Sequence, residues 1–441
     1  MQYKLPPASS LFFGVLVFFI LQSCSVQHRM HRQLDQTFKQ SAVVNQYPVG
    51  FALYDLENGK MIFEKDADKY FVPASNTKLF TFYAGLKMIP DSIPSLRYVV
   101  KGDSLIFWGT GDPSFLQTQL KGTKALEFLK ASPHQLYFAP GRYTGDFYGT
   151  GWAWDDYNDY YQAEINELPL MDNLITVKAN GNALKVSPRM FESCILPDST
   201  LIKERFGVFR DFNSNTFHYP KGPVTNGFKQ ELPYKVNTIT TINLLNDTLH
   251  KKVNLVQMTM PAEAKTIYNL KSDSVLKQMM LPSDNFIAEQ LLLVYGNQLS
   301  TELNSKKTID YIINTYLKSL PDRPVWVDGS GLSRNNLFTP RDMVALLRLI
   351  YEEVNDSKRL FAMLPAGGQS GTLKNAYPAT DKPFVFGKTG TLSNVHNQSG
   401  YVVTKKGKIY IYSFLNNNFV LPTATVRKEM GRIVTLIHER Y

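Results

Sequence analysis

Cysteine is scarce: Cys24 and Cys194 are the only two in 441 residues. So few exclude a disulfide framework, and the fold must rest on its core, which this length permits. The seven histidines are scattered, and none forms an HxxxH or HxH pair. That speaks against a metal site, and no cofactor is expected. Long apolar runs are missing as well. LFFGVLVFFIL, at 11–21, has eleven residues, against the ~20 that cross a bilayer. Net charge is +10, yet no Lys/Arg run interleaves with aromatics. This excludes nucleic-acid recognition and leaves a general attraction to anionic surfaces. There are no internal repeats and no low-complexity tracts. What remains is a globular composition, 44% apolar and 20% charged, in a chain long enough for two or three domains.

The apolar run follows Lys4, has the length of a signal-peptide core and ends in LQSC. Small Ser23 precedes Cys24, as in a bacterial lipobox, although Gln22 is unusual there. Two outcomes stay open. Lipid on Cys24 would tether an exported protein to a membrane of the cell envelope or periplasm. Otherwise the segment is simply cleaved, or stays as an uncleaved anchor. Residues 1–24 are set apart from the fold, and Cys194 is expected to be a small buried apolar residue.

Beyond a short polar helix at 28–43, two alternating runs flank Glu57-Asn58-Gly59 and predict a β-hairpin. A helix follows over 77–88. From about 89 to 260 the texture is strand-like: RYVV, SLIFW, QLYFA, NLITV, NALKV, TITTINLL and VNLVQM, with turns such as Asn180-Gly181 and Asn246-Asp247. Helical periodicity returns in SVLKQMM, FIAEQLLLVYG, TIDYIINTYLKSL and RDMVALLRLIYEEV. Strands then end the chain, before a last helix with Val426, Met430, Ile433, Val434 and Ile437 on one face. An antiparallel sheet built from both chain ends, with helices against it and a mostly β module interrupting, fits this pattern.

Three short motifs carry chemistry. In PASNTKLFT, Ser75 precedes Lys78 by three, so both share one helix face. Either Ser75 caps the helix, or Lys78, its pKa lowered by burial, takes the proton of a nucleophilic Ser75. The spacing recurs at Ser274/Lys277, so alone it is weak. Ser283-Asp284-Asn285 opens a helix, where all three residues make good caps; alternatively Ser283 relays a proton and Asn285 binds lysine and substrate. A similar triplet stands at Ser333-Arg334-Asn335. Lys388-Thr389-Gly390 ends a strand-like run; a lysine and a hydroxyl along an edge can bind a carboxylate, and glycine admits a substrate backbone.

The order SxxK, SDN, KTG is far more specific than any member, and it resembles the D-alanyl-D-alanine carboxypeptidase/endopeptidase group of low-molecular-mass penicillin-binding proteins, class C. GTGDPSF, GWAWDDYNDYY, DGSGLSR and GTLKN are similar to that family too, in the expected order over about 49–416. The resemblance implies an α+β fold: a penicillin-binding/serine β-lactamase-like transpeptidase domain with antiparallel sheet, flanking helices and a helical lobe, from 25–90 and 263–441. A mostly β insertion would occupy 91–262. It also implies roles. Ser75 would be acylated, with Lys78 as general base; Ser283 would pass the proton to the leaving amine, and Asn285 would position substrate. Lys388, Thr389 and Thr391 would grip the terminal carboxylate, beside Gly390. The N–H groups of Ser75 and Thr391 would form the oxyanion hole. The implied partners are peptidoglycan stem peptides and β-lactam antibiotics. Ser274/Lys277 and Ser333/Asn335 fall outside the motif order. Where the family often has an arginine after GTL, this chain has Lys374. Asp156, in WAWDDY, would bind a stem-peptide ammonium or sit in an acidic surface turn. No acidic deacylation base is evident. A β-lactamase or esterase of the same fold, and a non-catalytic peptidoglycan-binding lipoprotein, are the competing functions.

Overall fold

A computed structural model describes residues 27–201 and 205–441. The apolar run at 11–21, the expected cleavage region and Cys24 lie outside the described residues. Among the described residues, no helix is long and apolar enough to cross a membrane.

The sheet that organises the site joins both chain ends. Its five strands run, in order, Val385–Leu392, Val395–Val403, Ile409–Asn416, Val49–Asp55 and Lys60–Lys65, and every neighbour is antiparallel. Alternation of side chains puts two apolar layers on it. Ala52, Tyr401, Ile411 and Leu415 face the helices Lys78–Met88, Ser272–Met280, Asn285–Gly296 and Pro340–Val354. Phe51, Leu53, Tyr412 and Phe414 face the other way, against Thr423–Arg440 and a helix at 27–40. Met30, Leu34 and Phe38, one turn apart on that first helix, are buried there. The expected hairpin is present, with Gly59 at φ +65° in its turn, a conformation costly for other residues.

Between these halves stand three further sheets. The largest has the order Val253–Leu255, Gln135–Phe138, Ser104–Gly109, Ser92–Lys101, Lys265–Lys271. One sequence-based expectation fails here. TITTINLL, expected as strand, lies in a helix, Thr238–Leu249, and Asn246-Asp247, expected as a turn, falls inside it. Asn237 explains the outcome: its side chain accepts from the Thr240 N–H and caps the helix. Thr241, Leu244, Leu245 and Leu249 then fall on one buried face, and packing overrides the β preference of Thr and Ile. Cys194 is only partly buried, against the core of the same module.

Candidate active site

The chain turns sharply into the first motif. Ala74 adopts φ +49°, unusual for a residue with a side chain. A 3₁₀ turn, Ala74–Thr77, follows, and the α-helix starts at Lys78. Ser75 therefore stands partly open at the helix mouth, while Lys78 is wholly buried. Lys78 Nζ donates to Ser75 Oγ at 3.0 Å, to Asn285 Oδ1 at 2.7 Å and to the Ser330 carbonyl at 2.7 Å. Three acceptors match the three N–H bonds of an ammonium. Burial pushes its pKa down to about 8, opposed by the negative charges of Glu289, Asp328 and Asp284. A lysine so placed is poised to exchange a proton near neutrality.

In the second motif the residues divide the work. Asp284 is the cap, accepting from the Ile287 N–H at 2.9 Å. That leaves Ser283, itself at φ +66°, and Asn285 free to face the cleft. Asn285 bonds Lys78 through its oxygen and donates through its nitrogen to the Tyr161 carbonyl at 3.2 Å.

The third motif lies on the sheet's edge strand, Val385–Leu392. A Cβ on Gly390 would lie 2.5 Å from the Pro73 carbonyl oxygen and 2.8 Å from the Ser75 nitrogen. Only glycine lets this edge close on the turn that carries Ser75. Buried Lys388 donates to Ser283 Oγ at 2.8 Å. Burial, and then the positive charge of Lys78, hold its pKa well below the usual lysine range. Thr389 Oγ1 donates to Thr372 Oγ1 at 2.7 Å, and Thr391 Oγ1 lies 2.8 Å from His396 Nδ1. Ser75, Lys78, Ser283, Asn285, Lys388, Thr389, Gly390 and Thr391 thus share one cleft. Asp156 is not brought to the two lysines: it sits half-buried near Tyr161, whose Oη donates to Asp159 Oδ2 at 3.1 Å, and burial raises the Asp156 pKa. Lys374 is exposed after the 3₁₀ turn Gly371–Leu373.

The DGSGLSR stretch proves to be a strap behind Lys78. Ser330 supplies the lysine's third acceptor, and Gly329 O accepts from Thr81 Oγ1 at 2.7 Å. A Cβ on Gly331, at φ +83°, would collide with the Ala74 carbonyl. Glu289 fastens the strap from below, accepting from the Gly329 N–H at 3.0 Å and the Ser330 N–H at 2.7 Å. Asp328 holds its start and end, accepting from the Gly331 and Ser333 N–H groups. Sequence reasoning passed over Glu289, although an acid inside the apolar run FIAEQLLLV is a signal: burying it is costly without partners. Burial, and then the charge of Asp328, raise its pKa. Glu289→Gln turns one carboxylate oxygen into a donor facing a backbone N–H. Losing that bond costs about 1–3 kcal/mol, so acylation by a fluorescent penicillin is expected to slow roughly tenfold or more. An unchanged second-order rate would show that the strap holds without the carboxylate.

The family model of the D-Ala-D-Ala carboxypeptidase 3 (S13) family matches residues 30–193 and 234–439. The chain is 24% identical to D-alanyl-D-alanine carboxypeptidase DacB of Haemophilus influenzae over 409 residues, 83% of this chain and 85% of that one. The crystal structure of penicillin-binding protein 4 (dacB) from Haemophilus influenzae superposes with a TM-score of 0.72 at 18% identity, covering 92% of this chain and 99% of that one. A second crystal structure of that protein, in complex with a β-lactam, gives a TM-score of 0.66 at 17% identity, with 92% and 99% covered. These likenesses carry the expected penicillin-binding-protein fold over to the present architecture.

Proposed function

The chain belongs to the D-Ala-D-Ala carboxypeptidase 3 (S13) family and is a serine-type hydrolase; from that premise we propose that Ser75 is its nucleophile and D-alanyl-D-alanine stem peptides of peptidoglycan its substrate. The single observation that carries the assignment is the buried Lys78 amine, bonded at once to Ser75 Oγ and Asn285 Oδ1. Lys78 in its neutral form takes the Ser75 proton as Oγ attacks the carbonyl of the penultimate D-alanine. The Ser75 and Thr391 N–H groups hold the oxyanion, each worth roughly 2.7–4 kcal/mol. The C–N bond breaks, Ser283 passes a proton to the departing amine, and the terminal D-alanine leaves. Lys388, Thr389 and Thr391 hold its carboxylate until then. Water hydrolyses the ester on Ser75 and restores the enzyme. The same acyl-enzyme would serve an endopeptidase cut of D-alanyl cross-links. A β-lactam would trap it.

We further propose that 25–90 and 263–441 form the peptidase unit around the inserted 91–262, and that Cys24 carries a lipid anchor; the LQSC sequence supports the latter. The function is tested by intact-protein mass spectrometry after penicillin treatment. One penicilloyl group per chain is expected, on the peptide holding Ser75, persisting for minutes to hours. Rapid turnover would favour a β-lactamase, and a folded protein that never labels would favour a non-catalytic scaffold.

A further inference from the structure

The segment 149–162 borders the cleft and is pinned on both sides. Trp152 Nε1 donates to Asp328 Oδ2 at 2.9 Å, and the Tyr161 carbonyl accepts from Asn285 at 3.2 Å. On the far side, Tyr157 Oη donates to the Arg210 carbonyl at 3.0 Å, and Asn158 Oδ1 accepts from the Arg210 N–H at 2.8 Å. Gln162 Nε2 closes the loop on the Ala153 carbonyl at 2.8 Å. Despite this anchoring, Trp154 is 74% exposed and Tyr160 60%. Phe212, packed edge-on against Tyr157 at 5.0 Å, is 48% exposed. Large aromatic side chains gain most from burial, so a tied-down segment that keeps them in water marks a binding surface.

The neighbours of these rings narrow the ligand. Asp155 and Asp159, next to Trp154 and Tyr160 in sequence, are exposed, with one oxygen of Asp159 accepting from Tyr161 Oη at 3.1 Å and the other left for a ligand. Carboxylates in such a place make a dry apolar interface costly and repel anionic headgroups. A pyranose suits both features. Its C–H face lies flat on an aromatic ring, and its hydroxyl and amide N–H groups donate to carboxylates. We propose that Trp154, Tyr160 and Phe212, with Asp155 and Asp159, form a subsite for the N-acetylated amino-sugar strand to which a stem peptide is attached. This rests on the reading that the cleft takes stem peptides. Continuity supports the occupant: Tyr160 adjoins Tyr161, whose carbonyl is bonded to Asn285, so a peptide in the cleft brings its own sugar to this ridge.

The test compares the full chain with its Trp154→Ala/Tyr160→Ala variant on two substrates: a disaccharide-pentapeptide and the same peptide without sugar. Penicillin acylation is measured alongside. Two lost aromatic contacts predict about a tenfold fall in kcat/KM on the sugar-bearing substrate, and less than about a twofold change on the bare peptide and on penicillin. Equal losses on both peptides, or none on the glycopeptide, would overturn the subsite. Binding of peptide-free glycan strands is measured in parallel and needs no hydrolysis. Wild-type binding lost in the variant supports the subsite even if the carboxypeptidase reading fails; wild-type protein that binds no strand counts against it.

Discussion

Ser75→Ala is expected to abolish both the penicillin adduct and the release of D-alanine while leaving the protein folded. The proposed nucleophile is this hydroxyl, which accepts from the buried amine of Lys78 at 3.0 Å. Removing a serine nucleophile costs on the order of 10⁶-fold in turnover where it has been measured elsewhere. The fold loses little. Lys78 keeps its bonds to Asn285 and Ser330, so the change forfeits one hydrogen bond, about 1 kcal/mol. An intact mass spectrum and a thermal melt decide the matter. A stable variant that still acquires the adduct would move the nucleophile to another residue.

Lys78→Met is expected to slow acylation by ~10²–10⁴-fold, the usual worth of a general base. Methionine fills the buried volume without bringing a charge. It leaves the Asn285 and Ser330 oxygens without their donor, costing about 1–3 kcal/mol each, partly offset because no ammonium need be buried. The pH profile separates base from filler. The proposed base is the neutral amine of Lys78, and burial brings its pKa to about 8. Acylation should therefore rise with pH and level off above 8. In the variant the remaining slow rate should lose that limb. A limb still centred near 8 would assign the base to another group.

How much of this was legible depends on the range over which each interaction acts. Ser75 and Lys78 sit three apart, and the geometry of a helix puts them together without help from the rest of the chain. The hairpin around Gly59 and the exposed turn at Gly181 were equally local. Thr238–Leu249 misled because threonine and isoleucine suit strands, whereas a single cap at Asn237 and a buried leucine face decided for a helix. The strap was visible only as a motif. That it runs behind Lys78 depends on Glu289, which bonds residues 40 and 41 positions away. The contact between Asn285 and Tyr161 spans 124 residues, and no pattern in the sequence announces it.

The sheet that joins the two ends also sets a clock. Val49–Asp55 finds one of its two partners in Ile409–Asn416, and Lys388 is made more than three hundred residues after Ser75. Pairings so distant in sequence form late and slowly. A growing chain carries Ser75 long before the strand that bears Lys388 has been made. The contacts that gather Ser75, Lys78 and Lys388 are therefore complete only after the edge strand Val385–Leu392 has paired, so activity is expected to appear late in refolding.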